Sequence, residues 1–183
     1  AALTGRAAAA IGNLSLLVNN ASVFEADAAD DFDLDRWERH FAVNLRAPAL
    51  LAREFARQAT GEDPSIVNIL DQRVWRPTPQ FFSYTLSKAA LWTATRTMAQ
   101  SFAPRLRVNA VGPGPVLPNA TQGAEGFARE VAGLPLARAV KPEAVAEAVV
   151  WLARAPNVTG QMIAVDSGQH LGWRTPDYVE EPP

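Results

Sequence analysis

Asp71-Gln-Arg-Val-Trp-Arg-Pro-Thr-Pro-Gln-Phe-Phe-Ser-Tyr-Thr-Leu-Ser-Lys88 is the stretch from which the rest of the chain can be read. It passes through a Pro-rich turn into a segment, Tyr84 to Ala103, that contains no Gly or Pro and can run as one helix. Tyr84 and Lys88 are four residues apart and so share a helix face. An ammonium about 4 Å from a phenolate, at an effective dielectric of about 20, favours ionisation by roughly 4 kcal/mol, or about three pKa units. On that arithmetic Tyr84 is expected to titrate near neutrality, as suits a general acid. The chain has two Tyr, and only two of its 17 basic residues are Lys, so chance placement gives this spacing with a likelihood of roughly 2%. A chance pair on a helix surface is the plainer alternative.

Around that stretch the chain alternates. Four short apolar runs, Leu14 to Asn19, Ser65 to Leu70, Leu106 to Val111 and Met162 to Val165, have the character of buried parallel strands. Segments of helical periodicity separate them. This predicts an α/β fold, a Rossmann-like doubly wound parallel sheet with helices on both faces, forming one domain over residues 1–183. The helix after the first run carries the apolar stripe Leu34, Trp37, Phe41, Leu45, Pro48, Leu51 and Phe55. Pro48 offers no N–H to the Asn44 carbonyl, so a kink and a free carbonyl able to hold water are expected there, against the alternative of a simple packing kink.

The segment from Phe82 to Ala103 carries only Lys88 and Arg96 as charges, which predicts burial on several sides and a homo-oligomer, a tetramer being favoured. Gly112-Pro113-Gly114-Pro115-Val116 reads as a stiff turn, and Pro118 to Gly126 as a mobile loop over a binding site. Pro142 opens the last helix, with Val145, Val149, Val150 and Leu152 facing inward. Residues 174–183 read as an extended C-terminal arm. In a parallel sheet the strand ends at Asn19 to Ser22, Leu70 to Arg73, Gly112 to Val116 and Asp166 to Gln169 all open onto one crevice, where such sheets bind ligands.

Composition narrows the function classes. At 183 residues and a net charge of -2, the chain has no basic excess to neutralise phosphates, so no nucleic-acid partner is expected. It contains no Cys, and His40 and His170 lie far apart in sequence, so no metal site is expected. No apolar run approaches membrane-span length and no signal-peptide pattern opens the sequence, which points to the cytoplasm.

Asn19-Asn20-Ala21, Asn44, Tyr84-x-x-x-Lys88, Pro113-Gly114 and Asp166-x-Gly168 together resemble the short-chain dehydrogenase/reductase family in order and approximate spacing. The resemblance implies hydride transfer from a nicotinamide cofactor, NADPH favoured and NAD not excluded. Tyr84 would be the proton donor, and Lys88 would hold the nicotinamide ribose. Asn44 would hold a relay water, while Asn20, Ala21, Ser22, Pro113, Gly114 and Val116 would line the cofactor. The spacing of Tyr84 and Lys88 is similar to that of carbonyl-reducing members rather than of enoyl reductases.

Two departures stand out. Asp71 occupies the position, thirteen residues before Tyr84, where most members carry Ser. With Ser22 and Phe24, it is similar to the pteridine reductase and dihydromonapterin reductase branch. There Phe24 would stack the substrate ring, Ser22 would bond its polar groups, and Asp71 and Tyr84 would face it; an ordinary core aromatic is the alternative for Phe24. An ionised Asp71 would raise the Tyr84 phenol, so Asp71 is expected to be hydrogen-bonded to Tyr84 and partly protonated. The second departure is that the family's glycine-rich first turn and first three strands do not occur, and the helix at Arg6 to Gly12 looks short. The sequence thus reads as a truncated or incompletely ordered form of a longer protein, with the Leu14 run an exposed apolar edge. The readings kept open are a reductase of a pterin- or dihydrofolate-like ring, a reductase of another carbonyl compound, and a cofactor-free oligomerisation or binding module.

Overall fold

The computed structural model describes residues 2–60, 62–119 and 122–173. Its elements are α1 (Ala2–Ile11), β1 (Leu16–Asn19), α2 (Leu34–Phe41), a π turn (Ala42–Arg46), α3 (Ala47–Gln58), β2 (Ser65–Ile69), α4 (Phe82–Phe102), β3 (Arg107–Pro113), α5 (Gly123–Ala132), α6 (Pro142–Arg154) and β4 (Met162–Val165). Short 3-10 turns follow β2 (Gln72–Val74) and β4 (Gln169–Leu171). The proposed arm at 174–183 lies outside the described residues.

The four strands form one parallel sheet in the order β1-β2-β3-β4, with Asn19 opposite Asn68, Asn68 opposite Ala110 and Val111 opposite Ile163. Alternate side chains feed opposite faces. Ile66 and Val108 meet Ala52 and Phe55 of α3 and Ala99 of α4, whereas Val67 and Val111 meet Val149 and Leu152 of α6. Helices therefore cover both faces, as the alternation predicts. A polar ladder crosses the first of these layers: Asn19 donates to Asn68 at 2.8 Å, Asn68 donates to Thr95 at 2.9 Å, and the Thr95 hydroxyl donates to the Leu91 carbonyl at 2.8 Å. This gives the buried Asn68 amide both a donor and an acceptor partner inside the sheet, where an unpaired amide would be costly.

Local chemistry sets the helix ends. Asp33 caps α2 by accepting from the amides of Asp35 and Arg36. The expected irregularity ahead of Pro48 is present as the π turn, which lets the chain run on from α2 into α3. The last helix starts with Pro142, which needs no amide partner in the first turn.

Several expectations are corrected. Leu34 is largely exposed, because it stands at the first position of α2 and projects beyond the core. Val150 is exposed as well: only the Val145, Val149 and Leu152 side of α6 reaches the sheet. The segment Pro118 to Gly126 is not all loop, since α5 begins at Gly123. The first helix is fuller than Arg6 to Gly12, covering Ala2–Ile11 and packing on α3. Gly112 and Pro113 extend β3 and do not form a turn. Within the chain α4 contacts β3, α2 and the π turn. As expected, β1 is an edge strand, with Leu16 and Val18 38% and 39% exposed.

Candidate active site

The sheet directs Asn19, Ile69, Pro113 and Val165 to one end. Beyond Ile69 the chain turns at Asp71, whose carboxylate accepts from the Arg73 amide at 2.8 Å and so fixes its own rotamer. The Pro-rich loop then delivers Phe81 in a left-handed conformation, φ 59° and ψ 48°, directly before α4. That turn brings the first two turns of α4 back over the end of β2.

Tyr84 and Lys88 lie on the same buried face of α4, as their spacing requires. The Tyr84 phenol donates to Asp71 Oδ2 at 2.9 Å, the hydrogen bond expected from the sequence. The expected phenol–ammonium pairing is corrected. Lys88 Nζ lies 5.8 Å from the Tyr84 ring centroid and donates to the Ile69 carbonyl at 2.8 Å. Burial and the Asp71 carboxylate push the Tyr84 phenol well above its ordinary value. Burial lowers Lys88 to about 8, with Asp71 opposing that shift, and burial raises Asp71. Desolvation and the nearer carboxylate outweigh the ammonium's field, so the shift of Tyr84 has the opposite sign to that expected. At neutral pH the phenol keeps its proton in this structure.

A cavity of about 240 Å³ is lined by Phe24, Asp71, Arg73, Tyr84, Gly114 and Val116 among others. A second groove of about 430 Å³, largely apolar, is lined by Val18, Asn20, Ile69, Pro113, Val116 and Val145. Val116 is common to both and stands at their junction. Gly114 is glycine for a packing reason: a Cβ there would lie 2.7 Å from the Asp166 Cα. A larger cavity of about 630 Å³ lies beside β4 and the start of α6 and includes none of Asp71, Tyr84 and Lys88.

Phe24 is in the Tyr84 cavity, edge-on to the Tyr84 ring at 4.6 Å between centroids. It also stacks on Phe81, with centroids 4.1 Å apart and planes 9° apart, so a second aromatic backs one face of its ring. Arg73 covers Phe81 at 5.0 Å. Ser22 donates its hydroxyl to Asn44 Oδ1 at 3.1 Å. Asn44 is buried, and its side chain does more than the sequence suggests: it accepts from the Val23 amide at 2.9 Å and donates to the Val23 carbonyl at 3.0 Å. It also donates to Ser87, which itself donates to the Tyr84 carbonyl at 2.7 Å. Asn20 lines the apolar groove, and Ala21 is exposed beside it.

Arg73, Phe81 and a carboxylate at the cavity's far wall are further features of the site, missed by sequence reasoning. Glu130 of α5 accepts from Gln122 at 2.6 Å and from Gln169 at 2.8 Å, and all three line the Tyr84 cavity. Nearness to Asp71 was the available signal for Arg73. For Glu130 there was none.

The model described as enoyl-(acyl carrier protein) reductase matches residues 1–170. The chain is 50% identical to the FolM alternative dihydrofolate reductase 1 of Brucella canis, solved with NADP, at a TM-score of 0.93 and covering 97% of this chain and 71% of that one. The chain belongs to the short-chain dehydrogenase/reductase family. It is 37% identical over 168 residues to protein FixR of Bradyrhizobium diazoefficiens, covering 86% of this chain and 60% of that protein. To a short-chain type dehydrogenase/reductase of Picea abies it is 35% identical over 170 residues, 87% of this chain and 62% of that one. The chain thus spans 60% and 62% of the length of these two curated relatives. Among the described residues no helix is long and apolar enough to cross a membrane.

Proposed function

We propose that this chain carries the catalytic residues of an NADPH-dependent reductase acting on a pterin- or dihydrofolate-like ring. The observation that carries the reading is the Asp71–Tyr84 hydrogen bond at 2.9 Å, in a cavity that also holds Phe24. A carboxyl can accept through one oxygen and, when protonated, donate through the other, a two-point contact with a nitrogen-rich ring that the single hydroxyl oxygen of most of the family cannot make. The 50% identity to FolM proteins of two Brucella species, both solved with NADP, supports the cofactor and the ring class.

The residues present fit the nicotinamide end of such a cofactor. The groove beside Asn20, Ile69, Pro113 and Val116 is apolar, and Ile69 on its wall accepts from the buried ammonium of Lys88 at 2.8 Å, which suits a flat ring followed by a ribose. Lys88 would hold the ribose hydroxyls, and Asn20, Ala21, Ser22, Pro113, Gly114 and Val116 would form the wall. When bound, the cofactor supplies a hydride. Tyr84 passes its proton to the ring nitrogen, and a protonated Asp71 can hand its own proton to Tyr84 across their hydrogen bond. The raised Asp71 carboxyl favours that refill. The Asn44 carbonyl, at the π turn ahead of Pro48, is the site for a relay water.

A second reading, reduction of another carbonyl compound, draws on relatives such as the granaticin polyketide synthase putative ketoacyl reductase 2 of Streptomyces violaceoruber. Assembly as a homo-oligomer, a tetramer being favoured, belongs to the same proposal, as do a cytoplasmic location and the absence of nucleic-acid or membrane partners. NADPH oxidation by dihydrobiopterin against a panel of ketones tests the assignment. Preference for the pterin supports it, and turnover confined to ketones favours the second reading.

A further inference from the structure

The segment that carries Phe24 is held from one side by two side chains four residues apart. Asn44 grips the amide and carbonyl of Val23. His40 Nε2 accepts the amide of Glu25 at 3.2 Å. Phe24 lies between these two anchors and lines the Tyr84 cavity. Two residues on, the Asp27 carbonyl accepts the Phe81 amide at 2.9 Å. The Asp27 carboxylate accepts the amide of Ser83 at 3.2 Å and also its hydroxyl. Residues 23, 25 and 27 are therefore pinned in alternation, with Phe24 between the first two.

His40 is fully buried, and its ring has a defined proton arrangement. Because Nε2 accepts an N–H, it carries no hydrogen of its own, and the neutral ring must hold its proton on Nδ1. Nδ1 lies 2.7 Å from the Ser83 hydroxyl, which can accept that proton's hydrogen bond while donating its own to Asp27. Asp27, Ser83 and His40 thus form a directional chain that ends on the Glu25 amide. Burial lowers His40 below its ordinary range, which keeps the ring neutral at pH 7. Salt bridges from Arg36 and Arg39 to Glu25 tie the same segment from the solvent side, but they act on the Glu25 side chain and not on the backbone next to Phe24.

We infer that His40 is a positioning residue for the substrate: with Asn44 it clips the backbone on either side of Phe24 and presents that ring to the cavity beside Tyr84. The inference rests on the ring-reductase reading for its consequence in catalysis, though not for the clip itself. His40→Asn keeps a donor toward Ser83 and removes the acceptor for Glu25, whereas His40→Gln places an acceptor near the lost Nε2. Losing one such bond corresponds to about a tenfold effect. His40→Asn should raise KM for dihydrobiopterin about tenfold, leave kcat for a small diketone within about twofold, and speed exchange of the Glu25 amide about tenfold. His40→Gln should restore both KM and exchange toward the wild type.

Unchanged Glu25 exchange in His40→Asn would overturn the inference, as would equal losses in the two variants, which mark a merely structural residue. Should His40→Asn fail to fold, Ser83→Ala frees the Nδ1 proton and is expected to loosen the Glu25 amide in the same way; no change there would also overturn the clip. A wild-type protein that leaves dihydrobiopterin untouched would defeat the ring-reductase reading, while the exchange comparison would still decide the clip.

Discussion

Tyr84 and Asp71 share a hydrogen bond of 2.9 Å inside a water-poor pocket, and both groups hold their protons more tightly than they would in water. Each depends on the other. An ionised Asp71 stabilises the phenol's proton, and the phenol's donation in turn makes the carboxylate tolerable when buried. The pair is best regarded as one proton store with two sites, positioned at the end of β2.

Replacing Asp71 by Ser separates the two reductase readings. Ser is the residue that most of the family carries here, and it can still bond a carbonyl oxygen. Asp71→Ser is therefore expected to cut kcat/KM for dihydrobiopterin by about 10²-fold and for a simple ketone by less than about fivefold. Steady-state kinetics on both substrates makes the comparison. Equal losses would count against a ring-specific role.

Lys88 gives a prediction about stability that needs no substrate. Its folded pKa is about 8 against an ordinary 10.5, so between those values the unfolded chain binds a proton that the folded chain has released. Stability from this group therefore rises with pH across that window. Relative to Lys88→Met, the wild type should gain up to about 3 kcal/mol between pH 8 and 10.5. Urea midpoints of the two proteins through that range check it, and parallel curves would show that Lys88 titrates normally.

Arg107, on β3, is the main electrostatic tie between the sheet and α6. It makes a two-pronged salt bridge to Asp63 at 2.7 and 2.9 Å and donates to the carbonyls of Leu152 and Ala153 at 2.8 Å each. These carbonyls end α6, and the Leu152 carbonyl also accepts from the Ala155 amide at 3.5 Å. Arg107→Met should destabilise the protein by about 3 kcal/mol, or about 6–12 °C in Tm for a chain of this size. A loss below about 1 kcal/mol in thermal melts would mean that the helix end finds other partners.

The strands are legible as short, largely apolar runs, each within two residues of the observed strand at either end. Tyr84, Lys88 and Asp71 were legible because helix periodicity and chain reversal bring near-neighbours in sequence together. Signs of charge effects were not. The Lys88 ammonium was credited with acidifying Tyr84, yet its rotamer runs to the Ile69 carbonyl, and burial outweighs its field. Contacts across more than forty residues, such as His40 with Ser83 and Asn44 with Ser87, leave no periodic trace in a single sequence. Val150 shows the limit of patterning on a short helix, where two adjacent valines cannot both face the sheet.

Ring reduction in the proposed scheme turns on Tyr84 as the proton donor. Its most direct test is the rate of NADPH oxidation by dihydrobiopterin in wild type and Tyr84→Phe, with NADPH affinity followed by fluorescence in both. The expected result is a loss of about 10²- to 10⁴-fold in kcat with NADPH binding retained. Turnover by Tyr84→Phe at the wild-type rate would contradict the account.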